Sequence, residues 1–374
     1  MTGPGPEEPY GGPPETRRPA PYPSQPYPSQ PKPWQPNPWQ PPVWAPPPLP
    51  PGMRWAPPPG TPPHDVPQPF LLAMRSRDWA WWRPAVGLLL FAVVYAVAVV
   101  VSLLFGVVGL LANGTRGDLD VSDPGVLLLT NVATIVAIPV VWMVWAVAHG
   151  MRIGWSSSVL ARLRWRMLPT VTGLALVTLG PVISLALLPV LLEADVVEPV
   201  AGLGWFLAVV LLTTPLQSAA EEYLFRGYLS QAVAGWVGAP AAGALVAALV
   251  TATVFSLLHL PPDLPTFVTR FAVGLAASAV VWLTGGLEAA IVLHAVNNVL
   301  VLGLFGVLGG GGPTEAATEA ASWTEVALMT VALSAYVLLV ARARTTLRPE
   351  MRTAALDLRT RRPWGGATPA RSVG

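Results

Sequence analysis

Long stretches of this chain carry no charge, and they recur. Uncharged apolar runs occupy residues 84–112, 126–148, 168–192, 199–220, 239–258, 271–287, 289–308 and 326–341. A helix needs about 20 apolar residues to cross the hydrocarbon core of a bilayer, within a range of about 17–25. Seven of the runs are long enough, and the eighth becomes so if it begins at Trp323 and takes Glu325 at its edge. Backbone polar groups inside a bilayer must be satisfied within their own segment, so these runs predict helices. The expected fold class is all-α, a polytopic transmembrane helical bundle of about eight helices. Composition agrees: 53% of residues are hydrophobic and 11% charged, against about 25% charged in soluble domains. The chain has no cysteine, which excludes a disulfide scaffold, a thiol nucleophile and a structural Cys–zinc site.

The N-terminal part is a different material. Of the 44 prolines, 28 fall within residues 1–70, where a five-residue repeat reads PYPSQ PYPSQ PKPWQ PNPWQ. Proline removes amide donors and fixes φ, so this stretch cannot build helix or sheet ladders. It is expected to be an extended or disordered Pro/Trp-rich tail. Its plain reading is a linker; a ligand for proline-binding modules is the sharper one. His64 falls in it and is expected to be inert. No cleavable signal peptide is expected ahead of the helices. The domain reading is a tail over 1–70, a transmembrane helical domain over 71–345 and an Arg-rich tail over 346–374.

Charge is scarce, and most of it sets topology. Arg75, Arg77 and Arg83 precede the first run, and Arg152, Arg162, Arg164 and Arg166 lie between the second and third. Eight arginines, from Arg342 to Arg371, follow Val340. Asp118, Asp120 and Asp123 occupy one intervening loop, and Glu193, Asp195 and Glu198 another. The positive-inside rule then places both termini in the cytoplasm of a multi-pass cell-membrane protein and requires an even number of spans. Basic residues placed this way orient a membrane protein, so the expected partner is the lipid bilayer and not nucleic acid. His149, beside the basic loop, reads as interfacial.

Ionisable side chains within membrane helices are costly and mark functional sites by default. Here they gather in three motifs: Glu221-Glu222-Tyr223-Leu224-Phe225-Arg226-Gly227, Phe255-Ser256-Leu257-Leu258-His259, and His294-Ala295-Val296-Asn297-Asn298. Glu222 and Arg226 are four apart on one helix face and can pair. Glu221 is turned about 100° away, free to face a cavity. His294 and Asn298 are also four apart, a donor-rich face on another helix, while His259 ends a helix that Phe255 anchors one turn earlier.

A free carboxylate with imidazole and amide groups in a dry site suits activation of water. Glu221 would take the proton, assisted by His259, as the water attacks a peptide carbonyl. His294 and Asn298 would donate to the oxyanion. A divalent metal such as zinc held by Glu221, His259 and His294 would use the same atoms differently. HExxH, GxSG-type and GxGD-type motifs are absent. Two other readings stand beside a hydrolase: a polar network that fixes helix registry, and a proton relay in a transporter. No internal repeat of the kind transporters carry is visible.

In their order and spelling, EEYLFRG, FSLLH and HAVNN resemble the three signature motifs of the CAAX-protease and bacteriocin-processing (CPBP, or Abi) family of intramembrane endopeptidases. The resemblance covers residues 205–301, and Thr284-Gly285-Gly286-Leu287 is similar to the turn ahead of the third motif. It implies a membrane protease acting on a peptide or protein substrate. The catalytic glutamate falls on Glu221 with Glu222 and Arg226 as motif partners, the water-activating histidine on His259, and the oxyanion pair on His294 and Asn298. It leaves glutamate-dependent and metal-dependent chemistry both open. Glu288 departs from the family pattern, where an apolar or aromatic residue stands. A non-catalytic relative, such as an immunity factor, transport accessory or scaffold, would keep the same motifs.

One geometric demand follows. If residues 199–220 formed a whole span, Glu221 would sit at its end, and His259 would lie about 30 Å away at the end of the returning helix. A break at Pro215, starting a separate helix over about 216–235, would bring the two to one depth.

Overall fold

The computed structural model describes residues 66–75, 79–112, 120–186, 199–308 and 322–354, together with Gly3. The proline-rich repeat, the acids Asp118, Glu193, Asp195 and Glu198, and the arginines beyond residue 354 lie outside the described residues. The described residues from 66 onward belong to one compact unit.

Among the described residues there are ten α-helices: α1 (Trp82–Ala112), α2 (Pro124–Ile135), α3 (Ala137–His149), α4 (Leu168–Ala186), α5 (Leu203–Leu224), α6 (Ser230–Val237), α7 (Pro240–Leu258), α8 (Leu264–Thr284), α9 (Glu288–Leu308) and α10 (Trp323–Leu347). α2 and α3 run on as one apolar segment, as do α5 and α6, so eight segments are long and apolar enough to cross a membrane. Among the described residues there is no β-strand, only the isolated bridges Pro69–Arg352 and Ser158–Gly286. The fold is the all-helical, eight-span one that the apolar runs predict.

Helix ends follow local chemistry. Asp123 caps α2, its carboxylate accepting from Gly125 N and Val126 N at 2.7 and 3.1 Å, with Pro124 in the first turn. Asp263 caps α8 through Thr266 N, and Ser322 with Glu325 forms a capping box on α10. Gly150 and Gly285 end α3 and α8 in the left-handed conformation, which glycine adopts without a Cβ penalty.

The segment that carries the first motif departs from expectation. Pro215 lies inside α5 without ending it, and α5 passes through a π turn at Phe225–Leu229 directly into α6. The result is one helical segment of 35 residues, Leu203–Val237. Membrane helices tolerate proline because neighbouring groups re-satisfy the backbone. Glu221 therefore stands in the middle of a long helix rather than at the start of a separate one. Its 16-residue continuation to Val237 covers about 24 Å, and α7 returns over 19 residues, about 28 Å. That return brings His259 back to the depth of Glu221.

α9 lies at the centre, packed against α5, α4 and α8, while α5 also packs against α2 and α3. α1 sits at the edge and exposes most of its apolar surface. Before α1, Phe70–Leu72 form a buried 3-10 turn, and Gln68 exchanges bonds with Thr353: Thr353 N donates to Gln68 O at 2.8 Å, and Gln68 N to Thr353 Oγ1 at 2.9 Å. The two flanks of the helical body are thus joined.

Two polar residues gain partners that their sequence reading did not include. His149, at the end of α3, is buried within the protein, and its Nε2 lies 3.0 Å from the Tyr228 hydroxyl. Arg164, counted among the orientation charges, is buried against Glu288. Glu288 Oε1 accepts from Arg164 Nε at 2.9 Å and Oε2 from Nη2 at 2.6 Å. Arg164 Nη1 also donates to the carbonyls of Thr284 and Glu350, each at 2.9 Å. This group ties the loop after α3, the α8–α9 turn and the segment after α10 together.

Candidate active site

The three motifs converge on one cavity of about 600 Å3, lined among others by Glu221, His259, His294 and Asn298. Glu222 and Arg226 lie behind it, both fully buried, with Nη1 of Arg226 donating to Glu222 Oε1 at 3.0 Å. Arg226 Nη2 donates to the Gly274 carbonyl on α8 at 2.9 Å. A Cβ at Gly274 would stand 2.8 Å from that of Ala252 on α7, so the close approach of the two helices here requires glycine. The π turn begins immediately after Glu221–Leu224 and contains Arg226; such insertions recur at functional sites.

Glu222 does a second job. Its Oε1 also accepts from His294 Nδ1 at 2.9 Å, which commits Nδ1 as a donor and turns Nε2 toward the cavity. His259 is fixed in the same sense: its Nδ1 donates to the Phe255 carbonyl at 2.7 Å, which leaves Nε2 as the free nitrogen. Both tautomers follow from these partners. The two Nε2 atoms each stand 3.8 Å from Oε2 of Glu221, and that oxygen is buried with no hydrogen-bond partner. One carboxylate oxygen and two imidazole nitrogens therefore face a common point. Among the described residues, no group of three or more His, Asp or Glu side chains is gathered so as to hold a metal ion.

Phe255 forms the wall of this pocket. Its ring lies 4.5 Å from the His259 ring and 5.6 Å, edge-on, from that of His294, with the Arg226 guanidinium 5.1 Å from its centroid. An apolar ring between two imidazoles limits the water that can enter.

Further polar residues reach the cavity that the motifs do not contain. Gln217, one turn before Glu221, donates from Nε2 to Glu221 Oε1. Asn298 Nδ2 donates at 3.4 Å to Gln217 Oε1 and at 3.4 Å to Ser218 Oγ. Thr130, Asn131 and Thr134 line it from α2, and Asn131 Nδ2 holds Thr213 Oγ1 at 2.7 Å. Arg270 on α8 also lines it and donates from Nη1 to the His259 carbonyl at 2.8 Å. Each of these was a polar residue inside or beside an apolar run, a signal of the same kind as the motifs but weaker. Nothing in the spacing along the chain shows that α2 faces the same space.

Comparison with known proteins gives the same class. Residues 203–300 match the family model described as Rce1-like, type II CAAX prenyl endopeptidase. The resemblance read from the three motifs is thus borne out over these residues, and at family level it is to CAAX-protease-like membrane endopeptidases. An uncharacterized protein of Bacillus subtilis (strain 168), YyaK, is 30% identical over 103 residues, which cover 26% of this chain and 33% of that protein. The chain therefore matches about a third of the length of that curated relative. No solved structure matches.

Proposed function

We propose that this protein is an endopeptidase of the membrane interior, in which Glu221 and His259 activate a water that attacks a substrate peptide bond. The observation that carries this reading is the unpartnered Oε2 of Glu221, set 3.8 Å from both His259 Nε2 and His294 Nε2. Three acceptors around one point can share a water only if one of them bears a proton, because water donates two. Charge balance calls for one imidazolium, and the contact of His294 Nδ1 with the Glu222 carboxylate at 2.9 Å, where His259 has only a neutral carbonyl, puts it on His294. Two carboxylates, Glu221 and Glu222, then meet two cations, Arg226 and the His294 imidazolium, and the buried group is neutral overall.

In this arrangement the water gives its hydrogen bonds to Glu221 Oε2 and His259 Nε2. Its oxygen attacks the peptide carbonyl carbon as one proton passes to Glu221. The carbonyl oxygen becomes an oxyanion that accepts from the His294 Nε2–H and from Asn298 Nδ2, which gives up its long contact to Ser218 Oγ to do so, each well-placed donor lowering the barrier by about 3 kcal/mol. The proton held by Glu221 then goes to the leaving nitrogen as the C–N bond breaks. Substrates are peptides or proteins at the bilayer, and the orientation of the basic residues puts both termini in the cytoplasm.

Purified protein in liposomes, challenged with peptides that accumulate when the gene is deleted, tests this directly. Glu221→Gln and His259→Ala should each abolish cleavage while the melting temperature stays near wild type. Normal cleavage by either variant removes the mechanism, and no cleavage by the wild type favours a non-catalytic protein that keeps the motifs. Full activity of chelator-washed protein with no zinc found by elemental analysis sets the metal scheme aside.

A further inference from the structure

The two oxygens of the Glu221 carboxylate are not equivalent. Oε1 accepts the Gln217 amide, whereas Oε2 is buried, unpartnered and turned to the two imidazoles. The same amide accepts, through its Oε1, from Asn298 Nδ2 on α9 and from Ser218 Oγ at 3.3 Å. Gln217 thus touches both the carboxylate that faces the water position and the amide assigned to the oxyanion. A carboxylate's terminal torsion is broad, so without a partner on one oxygen the carboxylate plane could rotate and take the other oxygen away from the histidines.

We propose that Gln217 is the positioning residue of this site: by holding one oxygen of Glu221 it fixes the rotation of the carboxylate so that the other points at the two histidines, and it keeps Asn298 in register with it. This rests on reading Glu221 as the base. Tyr95 on α1, Glu222 and Arg226 on the same helical segment, His259 after α7, Arg270 on α8 and His294 on α9 are the titratable and charged groups around Glu221. α2 contributes the neutral Thr130, Asn131 and Thr134 to the cavity, and α10 contributes Met329. None of these is a hydrogen-bond partner of Oε1, so Gln217 has a role its neighbours do not duplicate. A purely helix-stabilising i,i+4 pair would contribute only through helix stability.

Two variants of the full-length protein in liposomes separate these roles. Gln217→Leu keeps the volume and loses both hydrogen bonds. Gln217→Glu keeps a donor and an acceptor only while the new carboxyl is protonated; once ionised it cannot donate and repels Glu221. With a quenched fluorescent transmembrane peptide that the wild type cleaves, Gln217→Leu should lower kcat by about 10- to 100-fold, with KM and melting temperature near wild type. Gln217→Glu should approach wild-type kcat at low pH and lose it as pH rises, a limb absent from the wild-type profile. Labelling of Glu221 by dicyclohexylcarbodiimide, read by mass spectrometry, repeats the comparison without substrate, and Gln217→Leu should label several-fold faster. Wild-type kcat, pH profile and labelling in both variants overturn the role, as does a loss confined to melting temperature. If Glu221→Gln is inactive while both Gln217 variants behave as wild type, only the positioning role fails. If Glu221→Gln cleaves normally, the catalytic reading fails, and altered labelling alone would still tie Gln217 to the Glu221 carboxylate.

Discussion

Adjacent glutamates in one motif have opposite surroundings. Glu222 is buried and shared between Arg226 and His294, whereas Glu221 borders the cavity. The 100° step between neighbouring helical residues made that division legible, because it puts only one of the two on the Arg226 face. The pairing of Glu222 with His294, 72 positions later, was not legible, since it depends on α9 packing against α5. The division has a measurable consequence. Removing one partner of a buried ion pair costs about 3–5 kcal/mol, so Glu222→Gln should lower stability in a denaturant titration far more than Glu221→Gln. Equal losses would mean that both carboxylates serve the structure. His149 shows the limit of reading single residues: its place beside a basic loop does not reveal that α3 turns it inward to meet Tyr228.

At the scale of elements, helices were the most legible feature and their ends the least. Each apolar run became a helix, because a membrane segment has no other way to satisfy its backbone. Their limits shifted where polar residues are tolerated: α8 begins at Leu264 and takes in Arg270, and α5 continues through Pro215 and past Glu221. Pro215 read as a break because proline lacks an amide donor, but helix packing around α5 outweighs one lost bond. The turn between α8 and α9 was better marked. Gly285 has φ +70°, and a Cβ there would stand 2.6 Å from the Glu350 carbonyl oxygen. Gly285→Ala should therefore destabilise the protein by about 1–2 kcal/mol from backbone strain alone, and by more through displacement of the segment after α10. An unchanged melting temperature would show that this close approach is dispensable.

For the whole molecule, the arginines serve two purposes that composition cannot separate. Those at helix ends are the basis of the proposed orientation, which the absence of cysteine makes easy to examine, since single cysteines can be introduced without removing others. An impermeant maleimide applied to intact cells should label Thr324→Cys at the start of α10, and Thr345→Cys at its end only after permeabilisation. The reverse pattern would invert the topology. Arg164 instead locks the fold. Its three bonds to the fully buried Glu288 side chain, with others to Thr284 and Glu350, join three separate parts of the chain. Glu288→Gln should lower stability by about 3–5 kcal/mol in thermal unfolding. A near-neutral effect would mean that water or Glu350 already compensates Arg164.

What the sequence determined by itself was whatever follows from periodicity and solvent. It dictated a membrane-embedded helical chain, the segments that cross, and the small set of ionisable residues too costly to be there without purpose. It also placed Glu221 and Glu222 on different faces, because helix geometry is local. Tertiary structure decided everything that depends on which helices meet. It aimed both Nε2 atoms at one carboxylate oxygen, supplied Gln217 and the α2 polar residues to the cavity, and brought His259 level with Glu221 through the full length of α5–α6. The physical reason is that hydrogen bonds between helices depend on depth and rotation together, and neither is written in the spacing of residues along one helix.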